Sequence, residues 1–124
     1  MFARKTDPAS VRYMQDIAHN RRALIQSYAS LIGSLDPSDT DNWSTIVGTA
    51  RDAGLSKEDL CRELSCAWTT ILRWEAGRNA PGPFARNAIK SKLLDMLDGL
   101  DRAEAERLRQ LQSAAADERK VAAA

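Results

Sequence analysis

Apolar residues recur at spacings of three and four along nearly the whole chain, and no stretch of useful length alternates apolar with polar residues. The first spacing places apolar side chains on one face of an α-helix, whereas alternation is typical of a half-buried β-strand. The pattern therefore predicts an all-α fold. The chain has 124 residues, 44% of them hydrophobic, which is enough for one small domain with helical extensions.

The first predicted helix is long and amphipathic. Asp7 and Pro8 form a start signal, with Asp as N-cap and Pro at the first helical position. An unbroken helix from Pro8 to Leu35 would span about 42 Å, and the polar stretch 19–22 is where it would bend or face solvent. Its apolar positions are Val11, Met14, Ile17, Ala18, Leu24, Ile25, Tyr28, Leu31, Ile32 and Leu35.

A loop rich in Asp, Ser and Pro, residues 36–42, separates this helix from those that follow. We expect Asn42 or Asp41 to cap the second helix and Gly54 to end it. The predicted divisions of the chain are an N-terminal helical extension with its linker (1–41), a helical module (42–97) and a C-terminal helical extension (98–124).

Two short helices and one long helix are predicted in the remainder. Ser56, with an acid three residues later, is a capping-box pattern that predicts a helix over 57–64. A tight turn and a second short helix over 68–76 follow. Pro83 begins the last helix, which is expected to fray beyond Ala114.

Two short helices joined by a three-residue turn have the proportions of a helix-turn-helix. The matching positions, without gaps in their spacing, are Gly54-Leu55-Ser56, Leu60, the small residue Cys61, Leu64, Ile71, Trp74-Glu75, Gly77 and Pro81. With these residues the stretch 43–97 resembles the XRE family, the lambda-repressor and Cro type of DNA-binding domain. The resemblance implies a lambda-repressor-like fold, flanked here by the long N-terminal and C-terminal helices.

Two positions depart from the family pattern. Ser65 occupies the turn position where glycine is usual, so we expect a non-glycine residue with left-handed dihedral angles. Ala50 stands where many members carry an arginine that pairs with the glutamate. The side chain of Glu75 is then left with Arg51, with Arg78 or with no buried partner.

The resemblance also implies which residues meet DNA. A recognition helix enters the major groove with its N-terminal residues, and the base-contacting positions here are Trp68, Thr69, Thr70 and Arg73. An arginine such as Arg73 can donate two hydrogen bonds to guanine O6 and N7. The implied phosphate contacts are Lys57, at the start of the preceding helix, and Arg78, after Gly77.

Each of these residues also has a purely structural interpretation. Trp68 would be buried, Thr70 would bond only the backbone, and the basic residues would be solvated surface charges. Charge distribution favours the DNA interpretation, because residues 56–92 hold seven basic and four acidic residues although the whole chain has a net charge of only +1.

Several other functions find no support in the composition. Two cysteines, Cys61 and Cys66, and the distant single histidine His19 do not supply a zinc site or a nucleophile–base pair. We therefore expect no enzyme activity, no cofactor, no metal and no small-molecule ligand, and the cysteines are interpreted as reduced thiols with any redox role left open. No apolar run approaches the roughly 18 residues of a membrane span, and no secretory signal is apparent, so a cytoplasmic location is expected.

A single motif of this size contacts few base pairs, so two copies on a palindrome are expected. We expect Ile17, Leu24, Tyr28, Leu31 and the 97–111 stretch to be buried between subunits, with an intramolecular helical hairpin as the alternative. The expected function is that of a dimeric, sequence-specific transcriptional regulator that represses by occupying an operator. The alternative is a helical protein-interaction module, such as an antitoxin or phage accessory factor, that uses the same fold to bind a partner protein.

Overall fold

The computed structural model describes residues 8–123, with the side chains of residues 118, 122 and 123 left out. Within that range the chain contains helices and connecting turns and no β-strand, so the all-α prediction is confirmed. The helices are α1 (Pro8–Ser34), α2 (Trp43–Asp52), α3 (Lys57–Leu64), α4 (Trp68–Glu75) and α5 (Arg86–Ala123), with a 3₁₀ turn (Thr40–Asn42) before α2.

α1 and α5 pack against each other as an antiparallel pair, here called the hairpin although α2, α3 and α4 lie between the two helices in the chain. Arg22 Nε lies 2.9 Å from Asp101 Oδ1, and Arg21 Nε lies 2.8 Å from Glu104 Oε1. Two residues of the polar stretch predicted to bend α1 or face solvent thus pair with α5. The helix passes through that stretch without a break.

Lys90 holds the other end of the hairpin. Its Nζ donates to the carbonyl oxygens of Gly33 at 3.0 Å and Leu35 at 2.8 Å. The last carbonyls of a helix have no partner within the helix, and a lysine near them supplies one. Lys90 therefore caps the C-terminal end of α1 and connects it to α5.

All five helices contribute to one hydrophobic core. Trp43 lies at its centre, fully buried, and its indole N–H donates to the carbonyl oxygen of Pro37 at 2.8 Å. Its ring meets that of Trp74 edge-on, with 6.2 Å between centroids. The buried core residues are Ile25, Ile32, Trp43, Ile46, Val47, Ala50, Ala53, Leu55, Leu60, Ile71, Trp74, Leu93 and Leu97.

The hairpin buries part of the surface that was predicted to contact a second subunit. Leu97 and Leu108 are 0% and 4% exposed within the single chain. The prediction that these two residues lie between subunits is therefore wrong, because the chain's own helices already cover them. Ile17, Leu24 and Leu31 stay exposed, at 39%, 51% and 42%.

The boundaries of α3 agree with the sequence pattern. Ser56 Oγ accepts a hydrogen bond from the Asp59 backbone N–H at 3.1 Å, which is the predicted N-terminal cap. Gly54, with a φ of +110°, ends the turn after α2, a conformation that glycine adopts readily. At the other end, Ser65 has φ +52° and ψ +41°, so the predicted left-handed residue is confirmed.

α2 begins at Trp43 with Asn42 directly before it, as predicted, but the Asn42 side-chain amide donates to the carbonyl oxygen of Asp36 at 3.0 Å and makes no capping hydrogen bond to α2. The predicted start of the last helix at Pro83 is wrong. Pro83 lies in a turn closed by the Ala85 N–H on the Gly82 carbonyl, and α5 begins only at Arg86. α5 continues to Ala123, and fraying of its tail stays a prediction.

Replacing Ser65 with glycine is expected to stabilise the protein by up to about 1 kcal/mol. The side chain is exposed, and left-handed dihedral angles cost a non-glycine residue roughly 1–2 kcal/mol, partly offset by the greater freedom of unfolded glycine. Urea denaturation followed by circular dichroism measures the change. The matched control is Ser30→Gly on the exposed face of α1, which is expected to destabilise by about 0.5 kcal/mol.

Asp101→Asn is expected to lower the free energy of unfolding at pH 7 by about 1–2 kcal/mol, because hydrogen bonds to charged groups are strong. Hydrogen bonds from Arg22 hold the pKa of the Asp101 carboxyl below its ordinary value, against the opposing effect of burial. A carboxyl with a lowered folded-state pKa stabilises the fold above its unfolded pKa of about 3.9 and loses that contribution as pH falls through the folded pKa.

The difference between wild type and Asp101→Asn should therefore close in acid, from about pH 5 downward. Urea titrations at several pH values give the comparison. The matched control is Asp98→Asn, whose carboxylate pairs with Arg102 where both side chains are mostly exposed, and which is expected to change stability little. A gap that does not narrow as the pH is lowered would show that the Asp101 charge is not its cause.

Candidate nucleic-acid interface

α4 has one face in the core and one in solvent. Ile71 and Trp74 are buried and anchor the helix, whereas Thr69 and Arg73 are exposed and Thr70 is half-buried. Ile71 and Trp74, two of the positions that match the family pattern, are thus the inward residues of this helix. Because the anchors lie three residues apart, the exposed face keeps a fixed direction relative to the core.

The exposed face of α4 forms one wall of a shallow depression of about 330 Å³. Its lining residues are Thr69, Leu72, Arg73, Ala76 and Arg78. Three of the residues implied by the resemblance, Thr69, Arg73 and Arg78, therefore lie together on one surface. Leu72, at 37% exposed, adds an apolar side chain to it.

Arg78 reaches this surface through the turn that ends α4. Gly77 has a φ of +75°, and the Arg78 backbone N–H donates to the carbonyl oxygen of Arg73 at 3.0 Å. This hydrogen bond closes the helix in the pattern of a Schellman motif, which requires a left-handed residue. The glycine thus folds Arg78 back beside the last turn of α4.

Trp68 lies apart from the depression. Its ring is half-buried and packs against the core. The guanidinium carbon of Arg51 lies 4.9 Å from the ring centroid, and Nζ of Lys57 lies 5.8 Å from it. The predicted phosphate contact Lys57 is therefore a neighbour of Trp68.

Glu75 pairs with Arg51, one of the three arrangements that the sequence left open. The two side chains are 31% and 38% exposed, so the pair lies at the edge of the core. The Ser44 hydroxyl donates to the Glu75 backbone carbonyl oxygen, which ties the end of α4 to the start of α2. Arg51 is a neighbour of the interface that sequence reasoning did not assign to it.

The basic residues of α5 that lie between 86 and 92 have other partners. Arg86 Nε donates to the Pro81 carbonyl oxygen at 2.8 Å, and Lys92 Nζ lies 3.2 Å from a carboxylate oxygen of Glu63. With Lys90 capping α1, these residues do not extend the basic surface of α4. Arg86, Lys90 and Lys92, which are three of the seven basic residues of the 56–92 stretch, thus have partners within the protein.

Three cations near α4 have no such ion pair. Among the described side chains, no carboxylate lies within 4 Å of the charged groups of Lys57, Arg73 or Arg78. The acids Asp59 and Glu75 are paired elsewhere, while Asp52 and Glu58 are exposed carboxylates of α2 and α3. The surface has mixed charge, with its unpaired cations at the start of α3 and along α4.

The described residues contain no group of three or more His, Cys, Asp or Glu side chains that could hold a metal ion. Cys61 and Cys66 are free and half-buried, and burial raises the pKa of the Cys66 thiol, with a further contribution from neighbouring Cys61. None of the helices in the described part of the chain combines the length and apolar character needed to cross a bilayer.

Comparison of the chain with family models, with curated proteins and with solved structures gave no match.

Arg51 was missed at this site because its contacts join residues 17 and 24 positions apart in the sequence. One signal was available, namely that Ala50 occupies the usual arginine position and Arg51 follows directly. On a helix the next residue points about 100° away, so the sequence did not show whether the guanidinium reaches the glutamate.

Proposed function

We propose that this protein is a sequence-specific DNA-binding transcriptional regulator of the lambda-repressor-like helix-turn-helix type. It acts in the cytoplasm and represses by occupying a palindromic operator as a homodimer. The observation that carries the proposal is the exposed face of α4, where Thr69 and Arg73 share one surface with Arg78. Both arginines lack a carboxylate partner among the described side chains, which leaves their donors available to a ligand.

The chemistry of this face suits the major groove. The Arg73 guanidinium can donate two hydrogen bonds to guanine O6 and N7. Thr69 and Thr70 supply a hydroxyl for a base edge and a methyl for thymine, and Lys57 and Arg78 supply charge for phosphates.

The surface that we propose for the second copy lies on α1. Ile17, Leu24 and Leu31 are exposed and seven residues apart, so they form one apolar stripe along the helix. Residues 23–35 contain no charged side chain, although 28% of the chain is charged. Around Leu24 and Leu31 the stripe can pack against its own symmetry mate without burying charge. The two copies would then bind the two half-sites of a palindrome, about 10 base pairs apart.

Sedimentation equilibrium tests this assembly. Wild type is expected to be a dimer at high micromolar concentration, and Leu24→Glu a monomer because it places a charge in the stripe. Phe84→Glu, at a fully exposed position before α5, is the matched control and should remain dimeric. A monomeric wild type at that concentration would contradict the proposed dimer.

Binding of the wild-type protein to duplex DNA over a series of salt concentrations tests the function itself. The logarithm of affinity is expected to fall linearly with the logarithm of salt, by roughly 0.9 for each phosphate neutralised. Sequencing of DNA selected by the protein should then yield a site with two-fold symmetry. A protein-interaction module would show neither the affinity nor the slope, and that result would overturn the proposal.

A further inference from the structure

We infer that Trp68 is a positioning residue of the DNA interface: its ring holds the cations of Arg51 and Lys57 in place and does not itself contact a base. This inference rests on the proposed function and departs from the base contact that the family resemblance implies for position 68. Trp68 then contributes to the affinity for any DNA sequence, and the exposed face of α4 determines the sequence preference.

Three helices meet at the Trp68 ring. Arg51 comes from the last turn of α2, Lys57 is the first residue of α3, and Trp68 is the first residue of α4. The two cations lie over the ring at 4.9 Å and 5.8 Å from its centroid. Both distances fall within the ~6 Å over which the negative face of an indole attracts a cation.

Arg51 is held a second time, at the other end of α4. Its guanidinium pairs with Glu75, the last residue of that helix, while it lies over Trp68, the first. A single side chain of α2 therefore joins both ends of α4. Loss of the aromatic ring of Trp68 is expected to loosen this connection and to free the Lys57 side chain beside it.

The surroundings of the ring leave little of it for DNA. Trp68 is half-buried and packs against the core, and two cations occupy the space over its ring. A thymine methyl that packed on the ring would compete with these cations for the space over it. Thr69 and Arg73 are exposed, so they are better placed than Trp68 to contact bases.

Holding the cations in place favours phosphate binding. Lysine and arginine side chains lose rotamer freedom when they are fixed at a phosphate, and this loss opposes binding. A side chain that already lies over a ring in the free protein has less freedom to lose. The effect does not depend on base sequence, because every phosphate is alike.

The first test compares Trp68→Phe, which keeps a ring, with Trp68→Leu, which keeps apolar bulk without one. Affinities are measured for the selected site and for a panel in which each base pair is changed in turn, after circular dichroism has established that each variant is folded. Trp68→Phe is expected to bind within about threefold of wild type, since phenylalanine retains a weaker cation–ring attraction. Trp68→Leu should weaken all sites about equally, by about 5–25-fold, because the freed Arg51 and Lys57 side chains must then be ordered when they bind phosphate.

Two outcomes of this test would overturn the inference. If Trp68→Leu relaxes the preference at one base pair, the ring contacts that base. If both variants bind as wild type does, the ring contributes only packing. Phenylalanine and leucine both fill apolar space, so a difference in DNA affinity between the two variants is attributed to the aromatic ring.

A double-mutant cycle with Lys57 tests the coupling directly. In a Lys57→Gln background, Trp68→Leu should cost about 2–5-fold less affinity than it does in wild type, because one of the two cations is already gone. Losses that simply multiply would show that Trp68 and Lys57 act separately, contrary to the inference.

One measurement needs no DNA. In the free protein, the ring current of Trp68 should shift the NMR signals of the Lys57 side-chain methylene groups upfield, and the shift should disappear in Trp68→Leu. If wild type binds no DNA in the salt series, the proposed function fails, while this signal still reports whether the ring holds the lysine. Unshifted Lys57 signals in wild type would contradict the arrangement itself.

Discussion

Replacing Trp43 with alanine is expected to lower the free energy of unfolding by about 3–5 kcal/mol. The side chain is 0% exposed, its ring meets Trp74, and its N–H is satisfied by the Pro37 carbonyl oxygen. Removing it leaves a cavity between α2 and its neighbours and leaves that carbonyl without its indole donor. Since small domains are stable by only about 5–15 kcal/mol, this one change removes a large share of the total.

Urea denaturation followed by far-ultraviolet circular dichroism measures this effect, since that signal does not depend on the deleted indole. The matched control is Phe84→Ala, which also removes an aromatic ring but at a fully exposed position, and should change stability by less than about 0.5 kcal/mol. Equal effects of the two substitutions would mean that Trp43 is not at the centre of the core.

Arg73→Ala is expected to weaken binding to the selected site by about 5–150-fold, equivalent to 1–3 kcal/mol, and to relax the preference at one base pair. The guanidinium lies on the exposed face of α4 without a carboxylate partner among the described side chains, so its donors are available to guanine. Affinities for the selected site and for single-base variants of it measure both effects.

Substitutions of Lys57 and Arg102 distinguish the loss of a base contact from the loss of one positive charge. Lys57→Ala is expected to weaken binding to all sequences about equally and to reduce the salt slope by about 1. Arg102→Ala on α5, where the side chain is 75% exposed, removes the same charge as Arg73→Ala and should leave the base preference unchanged. If Arg73→Ala leaves affinity for the selected site unaltered, the assignment of the base-contacting face is wrong.

Local features of the fold were well predicted. The bounds of α3 and its Ser56 cap follow from hydrogen bonds between neighbouring residues. The left-handed Ser65 was expected from the family resemblance, since serine itself disfavours those dihedral angles. Two local details were not predicted: the Asn42 side chain bonds the Asp36 carbonyl instead of capping α2, and Pro83 joins a turn closed by Gly82 and Ala85 before α5 begins.

The candidate site was predicted in part. The inward residues of α4 could be identified from their spacing, and its exposed residues follow from the same periodicity. The positions of the two cations over the Trp68 ring could not be predicted, because Arg51, Lys57 and Trp68 belong to three different helices. Their distances depend on how those helices cross, which a periodic pattern does not contain.

The sequence by itself determined that the chain is helical, where α3 lies, and which side of each short helix faces inward. These properties depend on side chains three or four positions apart, which one turn of helix brings together. Only the tertiary structure decided which leucines are covered, Leu97 and Leu108 by the hairpin and not Leu24 or Leu31, and that Arg51 joins both ends of α4. Such contacts join distant residues, and their geometry is set by the packing of whole helices.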